Sequence, residues 1–245
     1  MPALSAGARR GVVLLAAVAA AALTARLGFW QLDRASQKTA IQQARAERAR
    51  LPVLDAAGLA RDAGEAAAQV HRRARLQGRW LASASVALDN RTMQGQVGFF
   101  IVTPLVLDDG RAVVVQRGWL PRDRADRTRL AEYRTPSDPV TVEGHMALEP
   151  SRLYELGPSA EGPIRQNLDL AAYAQALGRP LAQVVVIQDE PSPPPGDGLL
   201  RRWPEPASDV HKHHGYAFQW FGLSTLVVIL YVWFQLIKPR RRRTR

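Results

Sequence analysis

The sequence predicts a membrane protein. The expected fold is a two-helix transmembrane hairpin, with one span near each end, holding an extracytoplasmic, mainly antiparallel α+β domain. Three observations point there. Tyr216 to Ile237 contains no charged residue. At a helical rise of about 1.5 Å per residue, that stretch crosses a hydrocarbon core of about 30 Å. Gly11 to Ala25 is a second apolar run, rich in alanine, valine and leucine. From Val70 the apolar pattern changes to a period of two, the signature of strands.

Residues 1–10 form a short basic tail, expected in the cytoplasm. Residues 11–32 form the first span. Arg26 interrupts it, but Leu27 to Leu32 resumes the apolar pattern, Trp30 suits an interface, and Arg26 can snorkel. The length also fits a signal peptide; continuation past Arg26 favours an uncleaved anchor. Residues 33–210 form the domain outside. Asp33 to Arg50 continues the first helix until Pro52 stops it, and Leu51 to Gln69 is irregular with a short helix. His71 to Trp80 and Ser85 to Asp89 read as strands. Gln96 to Leu107 and Arg111 to Trp119 read as a hairpin turned at Asp108-Asp109-Gly110. Val140 to Leu148 and Leu181 to Asp189 are further strands. Leu168 to Leu177 is a short helix with Asn167 as its cap and Gly178 as its stop.

Residues 190–206 carry six prolines and read as a stiff extended connector. Residues 211–237 form a histidine-rich rim and the second span, and residues 238–245 a basic cytoplasmic tail. The alanine-rich first span is expected to pack against Gly215, Gln219 and Gly222, which share one face of the second.

The net charge of +11 suggests nucleic acid only until it is located. Setting aside Arg9, Arg10 and the six positive residues after Ile237 leaves 25 basic against 22 acidic residues. The excess is terminal, where it sets membrane orientation with both ends in the cytoplasm. No recognition motif accompanies it, so no nucleic-acid partner is expected. The chain has no cysteine, which excludes disulfides, thiolate metal sites and a cysteine nucleophile.

No HExxH, GxSxG, Walker phosphate loop or GxGxxG occurs. Asp108-Asp109 is better read as turn chemistry than as a catalytic pair. His71 and His145 are lone histidines in predicted strands, where a structural role is the simpler reading. The chain is therefore not expected to be an enzyme.

His213, Tyr216 and Trp220 stand at i, i+3 and i+7, on one helix face running from the rim into the bilayer. A neutral imidazole can bind haem iron axially, aromatic side chains can cover the macrocycle, and arginine or lysine can meet the propionates. The same residues also suit an interfacial aromatic belt. His211 and His214 are alternative ligands. A copper or zinc site is a weaker option, because only Asp209 stands near to support the ligands.

These residues also carry a resemblance. His213 to Phe221, HHGYAFQWF, resembles the HxxYAxxWF signature of the Surfeit locus protein 1 family. Gly28-Phe29-Trp30-Gln31 with Arg34 and Lys38 is similar to that family's GxWQxxR…K block. Gly98 to Pro104, GFFIVTP, resembles GxxVxTP, and Arg117 to Pro121, RGWLP, resembles RGW(V/L)P. The resemblance implies a bacterial inner-membrane assembly factor for cytochrome c oxidase with a periplasmic central domain. It implies haem a as cargo, bound through His213 and handed to the oxidase catalytic subunit. The implied partners are that subunit, the haem a synthesis machinery and membrane lipid. Tyr216, Trp220, Arg117 and Trp119 are further candidate contacts. His211 stands where the family often has asparagine, and His214 where it has an apolar residue. The competing expectation is a cofactor-free structural chaperone that steadies an oxidase subunit.

Overall fold

The computed structural model describes residues 5–123, 125–126, 129–154, 162–203 and 210–238. It falls into two units: a helical pair from residues 1–43 and 206–245, and a β domain from residues 44–205.

Two helices dominate the first unit. α1 (Ala6–Arg50) runs without a break from the apolar run into the polar stretch beyond it. Its 45 residues give a length of about 68 Å, twice what a bilayer core needs, which fits the alanine, glutamine and arginine composition of its second half. α4 (Val210–Tyr231) continues as π-helical turns over Val232–Ile237. Both helices are long and apolar enough to cross a membrane. Their large apolar side chains lie open, among them Leu15, Val18, Leu23, Leu226 and Ile229, as lipid-facing positions should. The rest of the basic tail, 239–245, lies outside the described residues.

The β domain is one seven-stranded sheet. Its strands are β1 (Arg73–Trp80), β2 (Val86–Met93), β3 (Gln96–Leu107), β4 (Ala112–Pro121), β5 (Val140–Ala147), β6 (Ile164–Arg165) and β7 (Leu181–Gln188). They lie in the order β1-β5-β7-β4-β3-β2-β6. Most pairs are antiparallel, as expected; β4–β7 and β2–β6 are parallel. The sheet also curls on itself. The 12 residues of β3 span about 40 Å, enough for two neighbours on one edge. Residues 96–102 pair with β2, and Leu105 to Leu107 pair with Trp80 to Gly78 of β1. That second pairing closes a barrel and removes the free edge of β1.

Both faces of the central strands are covered. Leu76, Leu105, Val113, Val115, Val142, Met146, Val184 and Val186 share one core with Leu59, Ala60 and Ala66, the last from the short helix α2 (Ala63–Gln69). Phe100, Val102, Val114 and Val185 point the other way, onto Tyr173 of α3 (Leu170–Leu177). This two-sided burial explains why β4 reads AVVVQRGWLP with no polar alternation.

Three expectations need correction. The cap of α3 is Asp169, whose carboxylate accepts from the amides of Ala171 and Ala172. Asn167 is buried instead and bonds the backbone of Leu153 in both directions. Gly178 does end the helix, in the left-handed region at φ 61°. His71 is not in a strand; it precedes β1 with φ 69°. The proline-rich connector is part of the domain where it is described. Leu200 exchanges backbone hydrogen bonds with Trp119, Leu199 is buried among Ile101, Leu120 and Phe99, and Trp203 donates its indole N–H to the Gln188 carbonyl at 2.7 Å. Residues 204–206 lie outside the described residues.

Candidate functional site

The site begins with the phase of α4. At about 100° per residue, Ala217, Ser224 and Phe221 fall about 40°, 20° and 80° from His213. These four form the stripe that meets α1. Ala217 is 2% exposed. The Ser224 hydroxyl donates to the Ala21 carbonyl at 2.9 Å. Phe221 makes an edge-to-face contact with Phe29, centroids 5.1 Å apart. A β-carbon on Gly28 would stand 2.8 Å from the Phe221 ring, so the chain lets the two helices approach through an absent side chain on α1.

That phase corrects the expected interface. Gly215, Gln219 and Gly222 lie about 180–240° from His213, on the opposite side of the helix. A β-carbon at either glycine would meet nothing within 4 Å.

His213 sits at one end of the stripe. Its Nδ1 lies 2.7 Å from Oε1 of Gln31, across the hairpin. An amide oxygen only accepts, so Nδ1 carries a proton, and in the neutral ring Nε2 then holds the lone pair. That Nε2 is buried and meets no hydrogen-bond partner among the described residues. A buried polar nitrogen without a partner is costly, and a neutral imidazole in this tautomer is the form that ligates a metal. The donor set therefore fits a haem iron. Tyr216 and Trp220 lie about −60° and −20° from His213; Tyr216 is half exposed and Trp220 partly buried. His211 and His214 are exposed, about 160° and 100° around the helix.

Arg117 and Trp119 belong to the β domain, and the structure gives both an internal role. Ile101 of β3 faces Gly118 of β4, and Val102 faces Gln116. Arg117 is thus the extra residue of a β-bulge, which re-aims its side chain. It is 1% exposed and stacks on Trp80 at 4.6 Å. It donates to the Thr135 hydroxyl at 2.7 Å and the Arg134 carbonyl at 3.0 Å, with Asp197 at 3.6 Å. Burial pulls its pKa below the usual guanidinium value, and Asp197 opposes that shift. Trp119 is 2% exposed and donates its indole N–H to the Arg91 carbonyl at 2.8 Å. Both side chains are packed within the β domain, whereas the resemblance offered them as further candidate contacts; Arg117 also lines a cavity there with Trp80, Thr135 and Asp197.

The RGWLP block that contains both residues pairs with the GFFIVTP block. Gly98, Phe99, Phe100 and Ile101 pair with Pro121, Leu120, Trp119 and Gly118. A β-carbon on Gly118 would stand 2.6 Å from the Leu199 side chain. Packing accounts for both blocks. Among the described residues no group of three or more histidine, aspartate or glutamate side chains is gathered; Asp209 lies outside them.

Sequence reasoning missed Gln31 and the steric role of Gly28. Both stand in the GFWQ block, but their partners are almost 200 residues away. Only the antiparallel register of α1 and α4 brings them level.

The family model described as "SURF1 family" matches residues 18–225. A "SURF1-like protein" of Rickettsia bellii (strain RML369-C) is 26% identical over 208 residues, covering 84% of this chain and 83% of its own. The "SURF1-like protein" of Rickettsia felis (strain ATCC VR-1525 / URRWXCal2) is 23% identical over 211 residues, covering 84% and 89%. The matched region takes in the GFWQ block on α1, both barrel blocks and the histidine rim of α4, and with them the chain belongs to the SURF1 family, known in general for oxidase assembly.

Proposed function

We propose that this chain is an inner-membrane assembly factor that takes haem a as cargo at His213 and passes it to the catalytic subunit of cytochrome c oxidase. The observation that supports this reading is the buried, unpartnered Nε2 of His213, whose ring is held through Nδ1 by Gln31. Bound there, the haem would take the imidazole nitrogen as an axial ligand. Tyr216 and Trp220 lie within about 60° of His213 around the helix and would offer apolar faces to the macrocycle. A long apolar tail on the cargo favours lipid by roughly 0.8 kcal/mol per methylene, so a rim of α4 is a suitable place to hold it. Moderate affinity suits hand-over, because each further 1.4 kcal/mol of binding slows release about tenfold. In this reading His213 is the ligand, His214 and His211 are the alternatives that the spectra below decide against, and no reaction is catalysed. Both termini are cytoplasmic, the β domain is periplasmic, and the partners are the oxidase catalytic subunit, the haem a synthesis machinery and lipid.

Optical spectra of the detergent-purified chain, made in haem a-producing cells, test this. The wild type should show a Soret band that His213→Ala loses and that His211→Ala and His214→Ala keep. A colourless wild type, or a band unchanged in His213→Ala, would overturn it.

The tight packing of Gly28 on Phe221 favours a second reading, a cofactor-free chaperone that acts through its helices. It predicts colourless protein, unchanged oxidase maturation in His213→Ala, and failure when Gly28 is enlarged.

A further inference from the structure

We infer that Gln31 is the positioning residue for His213, fixing its imidazole as the Nδ1–H tautomer so that Nε2 alone presents a lone pair to iron. The inference rests on the haem-binding reading above and adds a residue from the other span to it.

Gln31 Oε1 and His213 Nδ1 lie 2.7 Å apart, though the residues are separated by 182 positions. Free histidine exchanges its proton between two nitrogens. An acceptor fixed on one nitrogen leaves the other as the ligand, and it raises that ligand's basicity. The ring is also held in orientation, because Gln31 stands on a helix packed against α4 rather than on a loop. Gly28, one turn earlier on α1, meets Phe221, and Ala21 accepts from Ser224 further along. The acceptor is therefore set by the same stripe that pairs the helices. His211 and His214 are exposed and have no such acceptor from α1 among the described residues. This distinguishes His213 from its two neighbours.

The chemistry suggests three variants. Gln31→Leu removes the acceptor. Gln31→Glu keeps one and makes it anionic, pushing the ring toward imidazolate character. Gly222→Ala, the control, changes the far side of α4, where a β-carbon meets nothing within 4 Å.

The test uses the full-length chain in detergent. The apo protein, labelled with 15N-histidine, is read by NMR for the Nδ1–H tautomer. The protein is then titrated with haem a, and the Soret position and reduction potential are recorded. In wild type and Gly222→Ala, the His213 signal should report Nδ1–H, with equal affinity and spectrum. In Gln31→Leu the tautomer preference should be lost and affinity should fall about 10–100-fold. In Gln31→Glu binding should persist at a lower reduction potential. A purely structural role for Gln31 would leave tautomer and potential unmoved. If Gln31→Leu fails to fold, Gln31→Glu and the apo tautomer still decide. Wild-type tautomer, affinity and potential in both Gln31 variants would overturn the inference while leaving haem binding intact. A wild type that takes up no haem a, or a His213→Ala that binds it normally, would instead overturn the reading beneath it.

Discussion

The edge of the Phe221 ring occupies the space that a side chain at Gly28 would fill, 2.8 Å from where its β-carbon would stand. Phe221 cannot swing away freely, because it also packs edge-to-face on Phe29. Enlarging residue 28 must therefore separate α1 from α4 or expel the ring. Gly28→Val should destabilise the helical pair by about 1–3 kcal/mol, the usual cost of overpacking. Phe221→Leu in the same chain should recover part of it. Gly215→Ala and Gly222→Ala should be neutral or slightly stabilising, since both face open space and alanine is the better helix former. Thermal unfolding in detergent checks all four; equal losses at residues 28, 215 and 222 would contradict the helix phase.

Asp197 holds the proline-rich segment in place. Arg201 grips both oxygens of its carboxylate, and Arg117 lies 3.6 Å away. Both guanidinium groups are 1% exposed and the carboxylate 8%. Asp197→Ala leaves two buried cations facing each other, with Glu190 only at 3.6 Å from Arg201. Removing one member of such a cluster costs about 3–5 kcal/mol. We expect a large drop in the unfolding midpoint of the β domain and faster proteolysis around residues 190–203. A wild-type midpoint would show that the segment is only a linker.

The expectation of a linker fails for an instructive reason. Proline content predicts extended backbone, but the segment bends at residues 192–193 and 197–198 and takes positive φ at Gly196 and Gly198, and composition does not say whether it is packed. The same limit applies elsewhere. The β3–β4 hairpin is legible because an Asp-Gly turn separates two apolar runs. Barrel closure is not, because it depends on three pairs at the far end of β3, and no local signal marks them. Asn167 and Asp169 are both capping residue types, and only the burial of Asn167 decides between them. At the candidate site, His213 is legible from its spacing to Tyr216 and Trp220. Gln31 is not, because an alanine-rich α1 gives no phase from which to find its level on α4. Gly215 and Gly222 mislead for that reason too.

Trp119 stabilises the barrel through its hydrogen bond to Arg91. Arg91 is itself 2% exposed; burial pushes its pKa down to about 10, against the pull of Asp89. It bonds the carbonyls of Asp89, Ser151 and Gln166. Trp119→Phe removes one buried hydrogen bond and leaves a carbonyl short of a donor, a loss of about 1–3 kcal/mol. The unfolding midpoint of the β domain should fall accordingly, with no change in the Soret position of the haem-loaded chain. A shifted Soret band with unchanged stability would return Trp119 to the ligand contacts.

His71 should make the β domain sensitive to mild acid. Burial, then Arg45, His145 and Arg48, hold its pKa below the ordinary 6.5. The folded state thus prefers the neutral ring. Between the lowered pKa and 6.5 the unfolded chain binds the extra proton, so stability rises with pH across that window and is complete above it. Acidification below about 6.5 therefore destabilises the fold through this residue. His71→Asn removes the titrating group while tolerating the left-handed backbone at φ 69°. Unfolding midpoints measured from pH 7.5 down to pH 5 should fall less steeply in His71→Asn than in wild type. Parallel curves would mean that the ring is solvated enough to ionise without cost.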